Sequence, residues 1–84
     1  MIFKAKVYVT LKESVLDPQG VAVANSLHTL GYKEVEDVRL GKYTTVTLKA
    51  ENIDQATKSI EEMCDKLLAN PVIEEYSFEI EEVI

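Results

Sequence analysis

Eighty-four residues make one small domain, read as spanning 1–84, and so short a chain buries a modest share of its surface, which makes oligomerisation a natural source of added stability. A net charge of −6 makes the chain a poor nucleic-acid binder, since phosphate contacts need a basic patch, and no apolar run approaches the ~20 residues of a membrane span. One cysteine excludes an internal disulfide and fits a reducing, cytoplasmic compartment.

The chain opens on a strand. Phe3, Ala5, Val7, Val9 and Leu11 alternate with Lys4, Lys6, Tyr8, Thr10 and Lys12, the period of two of a half-buried strand and too regular for a signal peptide. A helix is expected over 18–30. Asp17 caps it, Pro18 fits its first turn, and Gly31 supplies the left-handed residue that ends it. Gly20, Val23, Ala24, Leu27 and Leu30 form the expected inward stripe, with small residues at Gly20 and Ala24 for close approach to a sheet.

Two further strands are expected over 35–40 and 43–50. Gly41-Lys42 between them suits a primed hairpin turn, with a bent strand bulged at Gly41 as the rival reading. Asn52 and Gln55 form a capping box for a second helix, whose stripe is Ile53, Ala56, Ile60, Met63, Cys64 and Leu67. Asn70-Pro71 ends it. Tyr76, Phe78 and Ile80 then alternate with Ser77, Glu79 and Glu81 in a last strand.

The order strand, helix, strand, strand, helix, strand predicts an α+β, ferredoxin-like βαββαβ fold. Right-handed crossovers give a four-stranded antiparallel sheet of order 4-1-3-2, with both helices on one face. The other face would carry Lys4, Lys6, Tyr8, Thr10, Tyr43, Thr45, Glu79 and Glu81. Such a polar face with tyrosines suits either solvent or a wet interface, so Tyr8, Thr10 and Thr45 are candidates for self-association.

Chemistry is sparse. His28 lacks partners at ligand spacing and reads as a surface or interface histidine. Cys64 lies on an apolar stripe and reads as a small hydrophobe. Glu74-Glu75 and Glu81-Glu82 are strand neighbours that point to opposite faces, and Glu61-Glu62 reads as a solvated helix surface. No catalytic, cofactor or metal site is therefore assigned. Arg39, Lys42 and Tyr43 cluster at the expected hairpin end, where long polar side chains could reach a partner protein. Residues 1–49 hold seven Lys or Arg against five acids, and residues 50–84 hold two Lys against ten acids, an asymmetry able to orient such a partner.

The ordered segments D-P-Q-G at 17–20, L-G-Y at 30–32, V-x-x-V-R-x-G-K at 35–42 and N-P-V-I-E-x-Y at 70–76 resemble the PurS family. These are the small subunits of phosphoribosylformylglycinamidine synthase, from purine biosynthesis. The resemblance covers essentially the whole chain. It implies a non-catalytic, dimer-forming adaptor that joins a glutaminase subunit to a large synthetase subunit and assists ammonia transfer between them. It also implies that ATP and magnesium belong to the synthetase. The alternative is an ACT-like regulatory module that binds a small effector at a dimer interface, although residues 13–17 lack the glycine usual in its first loop. A stand-alone enzyme would need a pocket acid or base that the sequence does not display.

Overall fold

The computed structural model describes residues 1–83. Strand β1 (Ile2–Leu11) is central, flanked by β2 (Gly41–Lys49) and β3 (Glu74–Val83) in the order β2-β1-β3. Both pairings are antiparallel. Helix α1 (Pro18–Thr29) follows β1, and α2 (Ile53–Met63) follows β2.

The alternation in β1 is realised. Phe3, Ala5, Val7 and Val9 are buried, while Lys4, Lys6, Tyr8 and Thr10 point the other way. Against them pack Ala56 and Ile60 of α2 and Cys64 immediately after it, with Leu48, Phe78 and Ile80 from the outer strands. Asn52 Oδ1 accepts the Gln55 N–H at 2.8 Å and starts α2, while Gln55 Oε1 reaches back to the Glu51 N–H at 2.7 Å. On the opposite face Lys4 pairs with Glu81 and Lys6 with Glu79 in register, and Lys6 Nζ lies 3.9 Å from a Glu81 carboxylate oxygen.

The sheet departs from expectation at 35–40. That segment is not a strand, so the sheet has three strands, arranged as three of the expected four. A primed hairpin needs positive φ at Gly41, and Gly31, at φ 105°, is the only described residue with positive φ. The chain runs straight into β2 instead. Gly41 pairs with Thr10 without a bulge, and its missing Cβ lets it lie against β1, where a Cβ would sit 2.5 Å from the Val9 carbonyl oxygen.

A second departure concerns α1, which does not cover the sheet. Its ends are as expected. Gly31 closes it with paired bonds, from the Gly31 N–H to the His28 carbonyl and from the Tyr32 N–H to the Leu27 carbonyl. Yet no α1 residue joins either core cluster, and Leu30 is 73% exposed. The radius of gyration of 16.5 Å exceeds the roughly 12 Å of a compact domain of this length.

The third departure is at the end of α2. Residues Cys64–Leu68 form a π-helical turn, with the Ala69 N–H bonded to the Cys64 carbonyl. The wider turn shifts the register of the stripe. Leu68 now packs on the core, and Leu67, expected inside, is 83% exposed.

Candidate functional site

The candidate residues gather where β1 ends, α1 begins and β2 starts. The D-P-Q-G segment places Asp17 at the N-cap of α1, 4% exposed. One carboxylate oxygen accepts the Gly20 N–H at 2.9 Å, and the other accepts the Leu40 N–H at 2.8 Å. A single side chain thus caps the helix and ties its start to the segment that returns to the sheet. Gly20 is needed because a Cβ there would collide with the Val38 carbonyl oxygen.

Arg39 is exposed at the start of the same junction. Its guanidinium donates to the carbonyls of Lys12 and Val15, each at 2.9 Å. It laces the loop that enters α1 to the segment that leaves it. His28 adds a bond farther along the helix, its Nε2–H donating to the Val35 carbonyl at 2.7 Å. Lys42 projects from the start of β2, with its ammonium 3.4 Å from Glu74 and its side chain 60% exposed. Tyr43 lies beside Tyr8 on the outer face, ring centroids 5.2 Å apart, and Thr10 and Thr45 are exposed near them. The expected partner surface and the expected self-association face are therefore contiguous through the two tyrosines. A cleft of about 270 Å³ beside them is lined by Asp17, Leu40, Gly41, Lys42 and Glu74 among others.

Charge is distributed to hold this junction. The Leu40 N–H, then the Gly20 N–H, hold the Asp17 carboxyl below its ordinary value. The Asn70 N–H, then Lys42, do the same for Glu74. Burial pushes the Cys64 thiol up, reinforced by Asp65 and Glu61, which suits a packed thiol rather than a nucleophile. Burial also raises Tyr76, whose hydroxyl donates to Asp65 at 3.0 Å. Among the described residues no group of three His, Cys, Asp or Glu side chains could hold a metal ion.

The lowered carboxyls set a pH dependence. Asp17 and Glu74 hold protons less tightly folded than unfolded, so their contribution is complete above the ordinary carboxyl range near ~4 and declines as pH falls through the lowered values. Urea midpoints should be level near neutrality and drop below about pH 4. Asp17→Asn should show a shallower acid drop. An equally steep drop in that variant would assign the acid sensitivity to other carboxyls.

Sequence reasoning found Asp17 as a helix cap and missed its second bond, which crosses 23 positions of the chain. The available signal was the joint presence of D-P-Q-G and V-R-x-G-K, each segment supplying one side of the junction.

A protein-family model described as PurS, phosphoribosylformylglycinamidine (FGAM) synthase, matches residues 4–82. A phosphoribosylformylglycinamidine synthase subunit PurS from Bacillus subtilis (strain 168) is 55% identical over 83 residues, 99% of this chain and 98% of that protein. The solved B. subtilis PurS structure superposes with a TM-score of 0.84 at 56% identity, covering 95% of this chain and 99% of that one. A chain in the structure of PurLQS from Thermotoga maritima gives a TM-score of 0.89 at 32% identity, covering 96% of this chain and 99% of that one.

Proposed function

The chain belongs to the PurS family of FGAM synthase subunits, and from that premise we propose that it is the non-catalytic adaptor joining the glutaminase and synthetase subunits and assisting ammonia transfer between them. The observation that carries this reading is the match, over 96% of the chain, to a chain of the Thermotoga PurLQS assembly. The complex makes formylglycinamidine ribonucleotide from formylglycinamide ribonucleotide, ATP and glutamine. On this reading ATP and magnesium are held by the synthetase subunit, and the complex works in the cytoplasm. No helix among the described residues is long and apolar enough to cross a membrane.

Lys42 and Tyr43 are the proposed contacts to the other subunits, being 60% exposed at the side chain and 57% exposed respectively. Arg39 contributes to the same surface by shaping its border, through the bonds to Lys12 and Val15. The chain itself is proposed to form a homodimer or dimer of dimers, with Tyr8, Thr10 and Thr45 on one self-association face. Sedimentation at micromolar concentration should show a species larger than a monomer.

The functional test separates docking from chemistry. Glutamine-dependent synthesis needs the glutaminase docked, whereas synthesis from high external ammonia does not. The double variant Lys42→Ala with Tyr43→Ala should lower the first by about tenfold or more, the scale expected for interface anchors. The ammonia-dependent rate should fall much less, with circular dichroism unchanged. Equal losses in both assays would place the chain's role in the synthetase reaction, and full activity in both would remove these residues from the interface.

A further inference from the structure

We propose that Glu74 is a positioning residue, fixed by the Asn70-Pro71 turn, that holds the Lys42 ammonium toward an uncharged acceptor oxygen of a partner subunit. The inference rests on the reading of Lys42 as a partner contact. It adds what aims that contact and what kind of group the contact meets.

The bonds of the N-P-V-I-E-x-Y segment at 70–76 converge on Glu74. The Asn70 carbonyl accepts the N–H groups of Ile73 at 3.2 Å and Glu74 at 2.7 Å, and Asn70 Oδ1 accepts the Val72 N–H at 3.1 Å. The Ile73 carbonyl accepts the Lys12 N–H at 2.9 Å, which fastens the turn to the end of β1. Pro71 fixes a backbone torsion within it. Glu74 therefore leaves a turn whose backbone is held on both sides.

Its side chain is held as well. Oε1 accepts the Asn70 N–H at 2.7 Å, while Oε2 lies 3.4 Å from Lys42 Nζ. With one oxygen committed to the backbone, the carboxylate cannot swing after a moving lysine, so the lysine comes to it. The exposures show the same division of roles: the Glu74 side chain is 14% exposed, against 60% for Lys42. Glu74 stands opposite Leu11 and Lys42 opposite Val9, so the pair spans the central strand from β3 to β2.

A lysine stem has many rotamers, and restricting them before docking removes part of the ordering cost. The ammonium has three N–H donors, so meeting Oε2 leaves two for a partner. The pair carries no net charge, since the Asn70 N–H and then Lys42 keep Glu74 ionised. Asp17, the other carboxylate lining the adjacent cleft, has Arg39 beside it. Such a surface suits a backbone or amide carbonyl. A partner carboxylate would meet Glu74 at the same ammonium, and a partner cation would meet Lys42.

Glu74→Gln separates the two ties. An amide has one acceptor oxygen for two donors, and the fixed Asn70 N–H keeps it, which turns the NH₂ toward Lys42. Lys42→Met removes the ammonium and keeps an unbranched stem. Glu82→Gln removes the same charge from the far end of β3 as a control. Each variant is titrated into the glutaminase and synthetase subunits, and its half-saturating concentration is read from glutamine-dependent synthesis at low and high salt. Motion of the Lys42 ammonium is read from ¹⁵N relaxation in the free chain.

Lys42→Met should raise the half-saturating concentration by about tenfold and Glu74→Gln by about threefold, equally at both salt concentrations. In the Lys42→Met background Glu74→Gln should add nothing, a result that a loosened turn alone would not give. The ammonium should move more freely in Glu74→Gln than in the parent, and Glu82→Gln should match the parent. The same Glu74→Gln penalty in both backgrounds would make its role structural and overturn the inference. Tighter docking of Glu74→Gln would show that Glu74 competes for Lys42 rather than aims it. Equal ammonium motion in parent and Glu74→Gln, or an equal loss in Glu82→Gln, would overturn the positioning, and a Lys42→Met loss that fades at high salt would overturn the uncharged acceptor. In all of these Lys42 remains a contact. A half-saturating concentration for Lys42→Met equal to the parent would remove Lys42 from the interface, and the inference with it.

Discussion

Ile60→Ala should lower the stability of this domain by about 2–5 kcal/mol, the range for truncating a buried aliphatic side chain where the surroundings cannot collapse. Ile60 is 0% exposed and sits in the cluster formed by Ala5, Val7, Val9 and Cys64. Its neighbours on the sheet are held by two ladders, so the vacated volume would persist as a cavity. Leu67→Ala is the internal control. On an unbroken α-helix Leu67 would continue the Ile60 stripe and would cost as much. The π-helical turn instead leaves it 83% exposed, and its truncation should change stability by no more than ~0.5 kcal/mol in dilute protein. Urea unfolding of both variants at several protein concentrations tests the pair. A penalty for Leu67→Ala that grows with concentration would place Leu67 at a self-association contact. Equal, concentration-independent penalties at the two positions would mean that the helix register does not shift.

Gly20→Ala is expected to be the most damaging one-carbon addition in the chain. Helix propensity alone favours alanine over glycine by up to ~1 kcal/mol. Here the added Cβ meets the Val38 carbonyl oxygen and lies 2.9 Å from an Asp17 carboxylate oxygen. Backbone on the far side cannot rotate away as a side chain could, so the segment carrying Val38 and Leu40 must move and the Asp17 bond to the Leu40 N–H must lengthen. Overpacking of this kind typically costs about 1–3 kcal/mol, enough to reverse the propensity gain. The measurable results are a lowered urea midpoint and faster hydrogen exchange at the Leu40 amide, with α2 amides unaffected. A stabilised variant with a protected Leu40 amide would show that the returning segment yields without strain.

Local patterns carried much of this protein. The alternation of β1 predicted which side chains are buried, and its pairing with the last strand brought Lys4 and Lys6 opposite Glu81 and Glu79 as expected. Asp17, Asn52 and Gly31 marked helix ends correctly, because capping depends on residues three or four positions apart. Composition and periodicity left an ACT-like effector module open as an alternative. The ordered motifs pointed to PurS, the family that the chain belongs to.

What local patterns did not decide is where each element goes. Residues 35–40 have strand-forming side chains, but their backbone groups are taken by side chains at α1: the Leu40 N–H goes to Asp17 and the Val35 carbonyl to His28. Leu67 repeats at helical spacing, but a hydrogen bond to the fifth residue back, closed at Ala69, turns it outward. The apolar stripe of α1 demanded a partner, and periodicity could not say whether that partner was its own sheet. A sequence pattern states which faces must be covered, because burial follows from side-chain chemistry and spacing. The choice among covering surfaces belongs to the tertiary structure, where Asp17 and Arg39 tie the segments flanking α1 through contacts distant in the chain, and α1 joins neither core cluster of the sheet that its own strands form.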